Sequence, residues 1–380
     1  MISIGIDVHK KKCTATLKRD SKRIVEQTSF CNNNYGINEF IQHIKGCYKE
    51  DAIAVCESTG NYWIRLHDTL EDNGINTLLA NSLKTKIIAQ AKLKDDKIDS
   101  NVLVDLLRAD LVYESFVPDK EYRELRQLVR TRLNLVTERT VLKNKVHALL
   151  AKYEYQCPVS HIFSNKGTEW LKTIDLSWID RMAVDAYLDA LVAIQKQIGI
   201  FTAKIASVSK EDQRVKLLMT IPGIDYFTAL TIVSEIVDIK RFSTPWKLVG
   251  YAGLAPSKRE SGDAHRYGGH ITRQGSKWLR YAIVEAANTS TRCDDRIGRF
   301  YKRIAERRGP QKARVAAAKE MLVIIWHMLI KNEPYRTMNR EMVDGKRWKE
   351  NQIWSETATV QCTKRLAVSK DFVWEYRYHI

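Results

Sequence analysis

Apolar and polar positions alternate in short runs over the first 115 residues of the chain. In the opening run, Ile2, Ile4 and Ile6 would share one face of a β-strand. Similar runs predict strands over residues 13–18, 24–30, 52–56 and 76–79, and amphipathic stretches predict helices over residues 36–48, 62–72 and 96–111. Three strands, a helix, a strand, a helix, a strand and a helix is the order of an RNase H-like α/β fold, which we expect here.

Acidic residues stand where these predicted elements begin or end. Asp7 closes the first strand and Glu57 follows the fourth, while Asp96 and Asp99 open the last helix, on one face of it. Crowded carboxylates repel one another unless a cation lies between them. Oxygen ligands suit Mg²⁺ or Mn²⁺, and a pair of such ions can clamp the two reacting oxygens of a phosphodiester. The sequence thus indicates a metal centre, although the helical pair taken alone also suits a solvated cap.

A long helical region is predicted over residues 116–210. Leucines recur there every seven residues: Leu128, Leu135, Leu142 and Leu149. A second helix has apolar residues at spacings of three and four: Val184, Tyr187, Leu191, Ile194, Ile198, Phe201 and Ile205. These spacings favour a coiled-coil seam. An antiparallel pair within the chain, an oligomer contact and a simple buried amphipathic helix all remain open. Arg132 and Arg139 lie within the first seam, which suggests a face toward nucleic acid.

The segment over residues 211–335 is predicted to be mostly helical. Pro222 and Gly223 lie between two apolar helices, as in a helix-hairpin-helix motif, where the glycine would let the backbone approach a phosphate; an ordinary helical turn is the alternative. A loop-rich stretch follows, in which Ser261 is a candidate nucleophile beside Gly262, although a lone serine in a loop is far more often a turn residue. The candidate nucleic-acid-binding residues are Gly223, Lys258, Arg259, Arg266, Arg273 and Lys277.

Composition narrows the class of partner. The formal net charge of +17 and the pI near 9.4 favour a polyanion, because Lys and Arg gain affinity by releasing condensed counterions.

The apolar run over residues 321–329 is too short to span a membrane, and the polar residues soon after the start argue against a signal peptide. Seven cysteines without a Cys-x-x-Cys pair suit a reducing cytoplasm. The nine histidines show no zinc-ligand spacing and are interpreted as ordinary core or surface residues.

Several ordered motifs resemble the DEDD-type insertion-sequence transposases, which pair a RuvC-like domain with a C-terminal serine domain. Three motifs resemble those of the RuvC-like half: Gly5-Ile6-Asp7-Val8-His9-Lys10, Cys56-Glu57-Ser58-Thr59-Gly60 and Lys94-Asp95-Asp96-Lys97-Ile98-Asp99-Ser100. Four others resemble the second conserved domain: Ile221-Pro222-Gly223-Ile224, Gly253-Leu254-Ala255-Pro256, Ser261-Gly262 and Ile271-Thr272-Arg273-Gln274-Gly275.

This resemblance implies roles that the residues alone do not establish. It implies that Asp7, Glu57, Asp96 and Asp99 hold Mg²⁺ or Mn²⁺, and that Ser261 attacks DNA to form a covalent phosphoserine. It also implies a composite site shared by the two halves in a homo-oligomer, a dimer or tetramer, assembled through the coiled coil. A structured guide RNA would pair with donor and target DNA.

The chain departs from the family pattern at a few positions. Asp95 stands where a small hydroxylated residue is usual and competes with Asp96 as the ligand, since Asp95 and Asp99 would also share a helix face. Ser100 replaces a common alanine. Ser257 is a second hydroxyl near Ser261 and competes with it as the nucleophile. The sequence after Tyr335 has no counterpart that we can match.

We therefore predict four segments: a RuvC-like RNase H-fold catalytic domain (residues 1–115), a helical coiled-coil region (116–210), a transposase domain with a helix-hairpin-helix-like motif and a serine loop (211–335), and an unassigned tail (336–380). The predicted function is DNA strand cleavage and rejoining by a cytoplasmic transposase that does not enter membranes. Two alternatives remain: a junction-resolving nuclease without serine chemistry, and a non-catalytic nucleic-acid-binding protein.

Overall fold

A computed structural model describes residues 1–19, 23–57, 60–82, 84–85, 96–261 and 264–335. The chain forms two compact units, of which the first runs from Met1 to Pro118 and the second begins at Asp119. The first unit is mixed α/β with a central sheet, and the second is mostly helical. The predicted tail over residues 336–380 lies outside the described residues.

Five strands form the sheet of the first unit: β1 (Ile2–Val8), β2 (Lys12–Lys18), β3 (Ile24–Cys31), β4 (Ala52–Glu57) and β5 (Asn76–Ala80). Their order across the sheet is β3-β2-β1-β4-β5. The first three strands are antiparallel neighbours, whereas β4 runs parallel to β1 and β5 runs parallel to β4. β1 is therefore the central strand, and all seven of its residues are buried.

Helices cover the sheet of the first unit. The helices α1 (Asn34–Cys47) and α2 (Trp63–Asp72) contribute apolar side chains such as Phe40 and Leu66 to a core with Ile2, Ile4 and Ile6. The helix α3 (Asp96–Arg108) packs over β1, β2 and β4. Its residue Leu103 packs with Val55 of β4. The residues on either side of Val55, Ala54 and Cys56, belong to the core formed with α1 and α2. Because successive side chains of a strand point to opposite faces, α3 lies on the face of the sheet opposite to α1 and α2. The predicted strands and helices of this unit lie within a few residues of the observed ones, and α3 ends at Arg108 rather than at residue 111.

A long antiparallel helix pair begins the second unit. It consists of α4 (Lys120–Leu150) and α6 (Trp178–Ser209), with the short helix α5 (Asn165–Thr173) between them in sequence. Arg132 donates a hydrogen bond to Thr202, and Arg139 donates one to Gln195. Arg139 comes after Arg132 on α4, but its partner Gln195 comes before Thr202 on α6, so the two helices run in opposite directions. Of the three arrangements left open, the structure shows the antiparallel pair within the chain.

The seam of this pair differs from the predicted one in detail. On α4 the buried residues are Val129, Leu133 and Val146, whereas the four heptad leucines are only partly buried. Arg132 and Arg139 bond to α6 across the seam, whereas the sequence suggested that they face nucleic acid. The Arg132 guanidinium lies 3.9 Å from the centroid of the Phe227 ring, and burial lowers the pKa of Arg132.

Among the described helices, α6 is long and apolar enough to cross a membrane by length and composition. Val184, Leu188 and Leu191 on its inner face pack with residues of α4 and α5. Its outer face leaves Met182 and Val192 exposed, at 61% and 71%. Length and hydropathy alone are weak grounds for assigning a membrane span, since core helices meet the same criteria.

The remainder of the second unit packs around a single large core. Its helices are α7 (Gln213–Leu218), α8 (Tyr226–Ile236), α9 (Pro245–Tyr251), α10 (Lys277–Cys293), α11 (Asp295–Arg308) and α12 (Pro310–Lys331), with a 3-10 turn at Ile239–Arg241. Two strands, β6 (Pro256–Ser261) and β7 (Ala264–Ile271), form an antiparallel hairpin. The apolar run noted in the sequence belongs to α12, where Met321, Leu322 and Ile325 are fully buried in this core.

Candidate metal centre and serine hairpin

Asp7 and Glu57 reach the same edge of the sheet through neighbouring strands. The parallel register of β1 and β4 places Ile6 opposite Cys56, and the two acids are the next residue on each strand. Parallel strands end at a common edge, so their terminal side chains are brought together. Asp7 is only 7% exposed, whereas Glu57 is partly exposed.

Helix α3 brings two further acids to this edge because it approaches β1 closely. A Cβ atom built on Gly5 would lie 2.2 Å from the Ser100 carbonyl oxygen and 2.5 Å from the Val104 nitrogen, so only glycine fits. A 2.8 Å hydrogen bond between the Thr16 and Ser100 hydroxyls fixes the contact on the neighbouring strand. Farther along, Lys18 binds Asp105 of α3 at 2.7 Å.

His9 lies between the acids of the strand and of the helix. Its Nε2 atom is 3.1 Å from Asp7 Oδ2 and 3.1 Å from Asp96 Oδ1. The ligand atoms of Asp7, His9 and Asp96 all lie within 4.8 Å of one another, which suits a shared cation. The interpretation of His9 as an ordinary core or surface residue is therefore wrong. The signal in the sequence was the spacing of two residues between Asp7 and His9 at the end of a strand. Side chains two residues apart lie on the same face of a strand.

The electrostatics of this edge show that three of the predicted acids act on the fourth, Asp7. Burial raises the pKa of Asp7 above its ordinary value, the nearby His9 lowers it, and the charges of Asp96, Asp99 and Glu57 raise it further. The pKa of His9 is also raised: burial lowers it, but the Asp7 charge and the hydrogen bond to Asp96 outweigh that effect. Excess negative charge with oxygen and imidazole donors is the chemistry that fits a divalent cation.

We call Asp7, His9, Glu57, Asp96 and Asp99 the acidic centre. The structure gives Asp96 a place in it through His9. Asp95, the competing ligand, lies outside the described residues.

The predicted serine loop is a β-hairpin in the structure, which corrects the interpretation as a loop. Ser261 is the last residue of β6 and pairs with Ala264 of β7 at the end of the hairpin. Lys258 pairs with Tyr267, and Arg259 with Arg266. The many glycines and basic residues of this stretch are typical of a loop, so the sequence did not predict the two strands. We refer to β6 and β7 together as the serine hairpin.

Ser257 has a structural hydrogen bond within this hairpin. Its hydroxyl donates to the His270 carbonyl oxygen at 2.7 Å, which ties β6 to β7 near the hairpin's base. Arg273 and Lys277, two of the predicted nucleic-acid contacts, follow β7 and are both exposed. The Lys277 ammonium lies 4.6 Å from the Trp278 ring centroid.

The base of the serine hairpin is tightly packed. Gly275 has φ +101°, and a Cβ atom there would lie 2.1 Å from the Tyr251 carbonyl oxygen. The Ser276 amide donates to the same carbonyl at 2.8 Å. Arg280 donates to the Ala252 carbonyl oxygen at 2.9 Å. These contacts fix the backbone on both sides of the hairpin.

A buried carboxylate joins this base to the long helix α4. Glu235, at the end of α8, is fully buried and accepts two hydrogen bonds from Arg130, at 2.7 and 2.9 Å. The Ser276 hydroxyl donates to Glu235 at 3.0 Å. Arg126 donates to the Ser234 and Glu235 carbonyl oxygens at 2.8 Å. No local sequence pattern predicts this network, because its partners are more than 40 residues apart.

The turn at Pro222 and Gly223 is explained by packing. Gly223 has φ +94°, and a Cβ atom there would lie 2.7 Å from the Ala286 carbonyl oxygen of α10. Ser290 of α10 donates a short hydrogen bond to the Pro222 carbonyl oxygen. Asp225 caps α8 by accepting from the Thr228 amide at 2.7 Å, where a phosphate would otherwise bind. These contacts favour the ordinary turn, and the phosphate contact of Gly223 stays a prediction.

Comparison with known proteins supplies the family. The family model DEDD_Tnp_IS110, described as a transposase, matches residues 4–154. A second model, described as the transposase IS116/IS110/IS902 family, matches residues 215–302. Together the matches span more than half of the 380 residues and contain both the acidic centre and the serine hairpin. The chain belongs to the IS110-type transposase family. Such enzymes cleave and rejoin DNA, so DNA is the substrate of this transposase.

The curated relatives of this chain include proteins named as transposases and one named as a gene-inverting protein. It is 27% identical over 293 residues to the transposase for insertion sequence element IS1111A of Coxiella burnetii, covering 74% of this chain and 79% of the relative. It is 28% identical over 208 residues to the putative transposase y4qE of Sinorhizobium fredii, covering 55% and 50%. The pilin gene-inverting protein of Moraxella bovis is 24% identical over 340 residues, which are 87% of this chain and 97% of that protein.

Proposed function

We propose that this transposase moves its element by metal-assisted cleavage at the acidic centre, combined with nucleophilic attack by Ser261. The first unit would be a RuvC-like RNase H fold in which Asp7, Glu57, Asp96 and Asp99 hold Mg²⁺ or Mn²⁺. The observation that carries the proposal is that Asp7 and Asp96, 89 positions apart in the sequence, both lie 3.1 Å from one imidazole nitrogen.

The residues of the acidic centre divide into two kinds. Asp7 is buried and held by the central strand, so its carboxylate has a fixed direction. Glu57 and Asp96 are partly exposed and thus more accessible to DNA. A bound Mg²⁺ or Mn²⁺ would polarise the scissile phosphate and stabilise the developing charge.

Ser261 would supply the nucleophile that attacks the scissile phosphate. Its hydroxyl oxygen would bond to phosphorus, a bridging P–O bond would break, and the released strand hydroxyl would take the proton. A free strand hydroxyl would later displace the serine and restore it. The competing residue, Ser257, already donates its hydroxyl proton to the His270 carbonyl oxygen, which supports a structural role for it.

Trapping of a protein–DNA adduct tests the serine step. The full chain is incubated with labelled element ends and Mg²⁺, then resolved on a denaturing gel. We expect an adduct with the unmodified chain and with Ser257→Ala, and none with Ser261→Ala. An adduct that persists in Ser261→Ala would remove Ser261 from the mechanism. Loss of the adduct in Glu57→Gln, with folding intact, would tie it to the acidic centre.

The proposal includes a structured guide RNA and a homo-oligomer, a dimer or tetramer, in the cytoplasm. The family resemblance is the support for the guide RNA, and the net charge of +17 fits polyanionic partners in general. The six described cysteines are free, which suits a reducing compartment. We expect site-specific DNA binding by the purified chain to require a co-purifying RNA and to be lost after RNase treatment. Specific binding that resists RNase would contradict the RNA component.

A junction-resolving nuclease is the second candidate, because all five residues of the acidic centre come from the first unit alone. Hydrolysis by such an enzyme would leave free ends and no adduct. Joined products from a branched substrate, together with the adduct, would rule it out.

A further inference from the structure

The proposed function gives roles to four acids and leaves His9 without one. This imidazole is half exposed, at 52%, and is the only nitrogen donor among the residues of the acidic centre. Its ring lies between the strand carboxylate of Asp7 and the helix carboxylate of Asp96.

We propose that His9 is itself a ligand, through Nε2, of the cation held by the acidic centre, and that it biases this centre toward Mn²⁺ over Mg²⁺. The inference rests on the proposed metal centre and adds a nitrogen atom to its donor set.

The spacing of the donor atoms supports ligation. At a metal–ligand distance of about 2.1 Å, neighbouring ligands of an octahedral ion lie about 3.0 Å apart. Nε2 lies 3.1 Å from an oxygen of Asp7 and 3.1 Å from an oxygen of Asp96. One ring nitrogen carries at most one proton and cannot direct it at two carboxylates at once. A shared cation would satisfy all three atoms.

The backbone of His9 is held in place on both sides, so the side chain starts from a fixed position. The His9 amide donates to the Lys12 carbonyl oxygen at 3.0 Å. The His9 carbonyl oxygen accepts from the Asn32 side chain at 2.9 Å, and that side chain also reaches the Tyr62 carbonyl oxygen at 3.2 Å. Anchoring of this kind lowers the conformational cost of binding a metal.

The bias toward Mn²⁺ follows from ligand chemistry. Mg²⁺ takes oxygen ligands and water, whereas imidazole nitrogen suits first-row transition ions. A centre of carboxylates alone would bind either ion, and a nitrogen donor strengthens Mn²⁺ binding more than Mg²⁺ binding.

Electron paramagnetic resonance on Mn²⁺ bound to the full chain tests the inference independently of activity. We expect the pulsed spectrum to show ¹⁴N couplings that change to ¹⁵N couplings when histidine is ¹⁵N-labelled, a measurement that needs no variant. His9→Gln should abolish the nitrogen couplings and weaken Mn²⁺ binding at least about tenfold, with a smaller loss for Mg²⁺ measured by competition.

His43→Gln is the matched control. His43 Nε2 also contacts a carboxylate, Glu26, at 2.8 Å, but away from the acidic centre. We expect this variant to keep both the couplings and the Mn²⁺ affinity.

The outcomes separate the inference from the proposed function. Bound Mn²⁺ without nitrogen couplings in the unmodified chain would overturn the role of His9 and leave the carboxylate centre standing. Couplings that persist in His9→Gln would overturn it as well. Absence of Mn²⁺ binding by the unmodified chain would overturn both the inference and the metal centre.

Discussion

The Cα atom of Gly5 lies directly against the backbone of Ser100, so closely that a single methyl group would fall 2.2 Å from the Ser100 carbonyl oxygen. This contact sets the distance between the central strand and helix α3. Asp7 follows Gly5 by two residues on the strand, and Asp99 precedes Ser100 on the helix. The glycine thus controls the geometry of the acidic centre without taking part in its chemistry.

Gly5→Ala is therefore expected to displace α3 and to disable the centre. Overpacking of a filled core typically costs about 1–3 kcal/mol, and the carboxylates would also separate. We expect lower thermal stability, loss of Mn²⁺ binding and loss of DNA cleavage. Gly46→Ala is the control, because a Cβ atom there meets nothing within 4 Å and Gly46 lies in α1. It should keep activity and leave stability unchanged or slightly higher. Full metal binding by Gly5→Ala would contradict this account.

Asp7→Asn is expected to stabilise the metal-free chain while abolishing cleavage. The Asp7 carboxylate is buried beside three like charges, whereas a neutral amide of the same shape escapes that repulsion. Thermal unfolding in chelator should show a higher midpoint for Asp7→Asn than for the unmodified chain. Mn²⁺ should reverse the order, because only the unmodified chain gains from binding. The exposed Asp51→Asn should change neither midpoint. A lower midpoint for Asp7→Asn in chelator would show that the carboxylate is not under repulsive strain.

Glu235→Gln should destabilise the second unit, because it removes the counter-charge of Arg130 in a buried network. Hydrogen bonds to charged groups contribute about 1.5–3 kcal/mol each, and glutamine can retain part of one. We expect a loss of about 1–3 kcal/mol in the free energy of unfolding by urea. A double-mutant cycle with Arg130→Gln should give an interaction free energy well above zero.

The surface pair of Arg296 and Glu320 provides the control for this experiment. Its 3.4 Å contact is largely exposed, so Glu320→Gln should change stability by no more than about 0.5 kcal/mol. Equal effects of the two substitutions would show that burial of Glu235 does not strengthen its pair.

Glu285 should make stability depend on pH. Burial raises the pKa of Glu285 above its ordinary value of 4.5, and Arg314 only partly opposes this. The folded chain thus binds this proton more tightly than the unfolded chain, so the stabilising contribution is present below pH 4.5 and is lost as pH rises through the folded pKa. Glu285→Gln should be more stable than the unmodified chain at neutral pH, with the difference shrinking on acidification. Urea unfolding at several pH values measures this. A constant difference would contradict it.

The local pattern was enough to predict much of the first unit. Alternating apolar residues identify β1, and the acids at element ends mark the candidate centre. The prediction failed where a residue acquires meaning only from a distant partner. His9 resembles any surface histidine until Asp96 is placed beside it, and Glu235 resembles any helical acid until Arg130 reaches it. The serine hairpin was missed for a related reason, since its pairing overrides a sequence that is typical of loops.

The sequence by itself determined the periodicity of the strands and helices, the basic character of the chain and the acids that close its elements, because these depend on neighbouring residues. Only the tertiary structure decided that the long helices pair antiparallel within one chain, that Asp7 and Asp96 meet at one imidazole, and that Gly5 is a packing requirement. These depend on which distant surfaces can approach without a clash or an unpaired charge, and that is a property of packing in three dimensions.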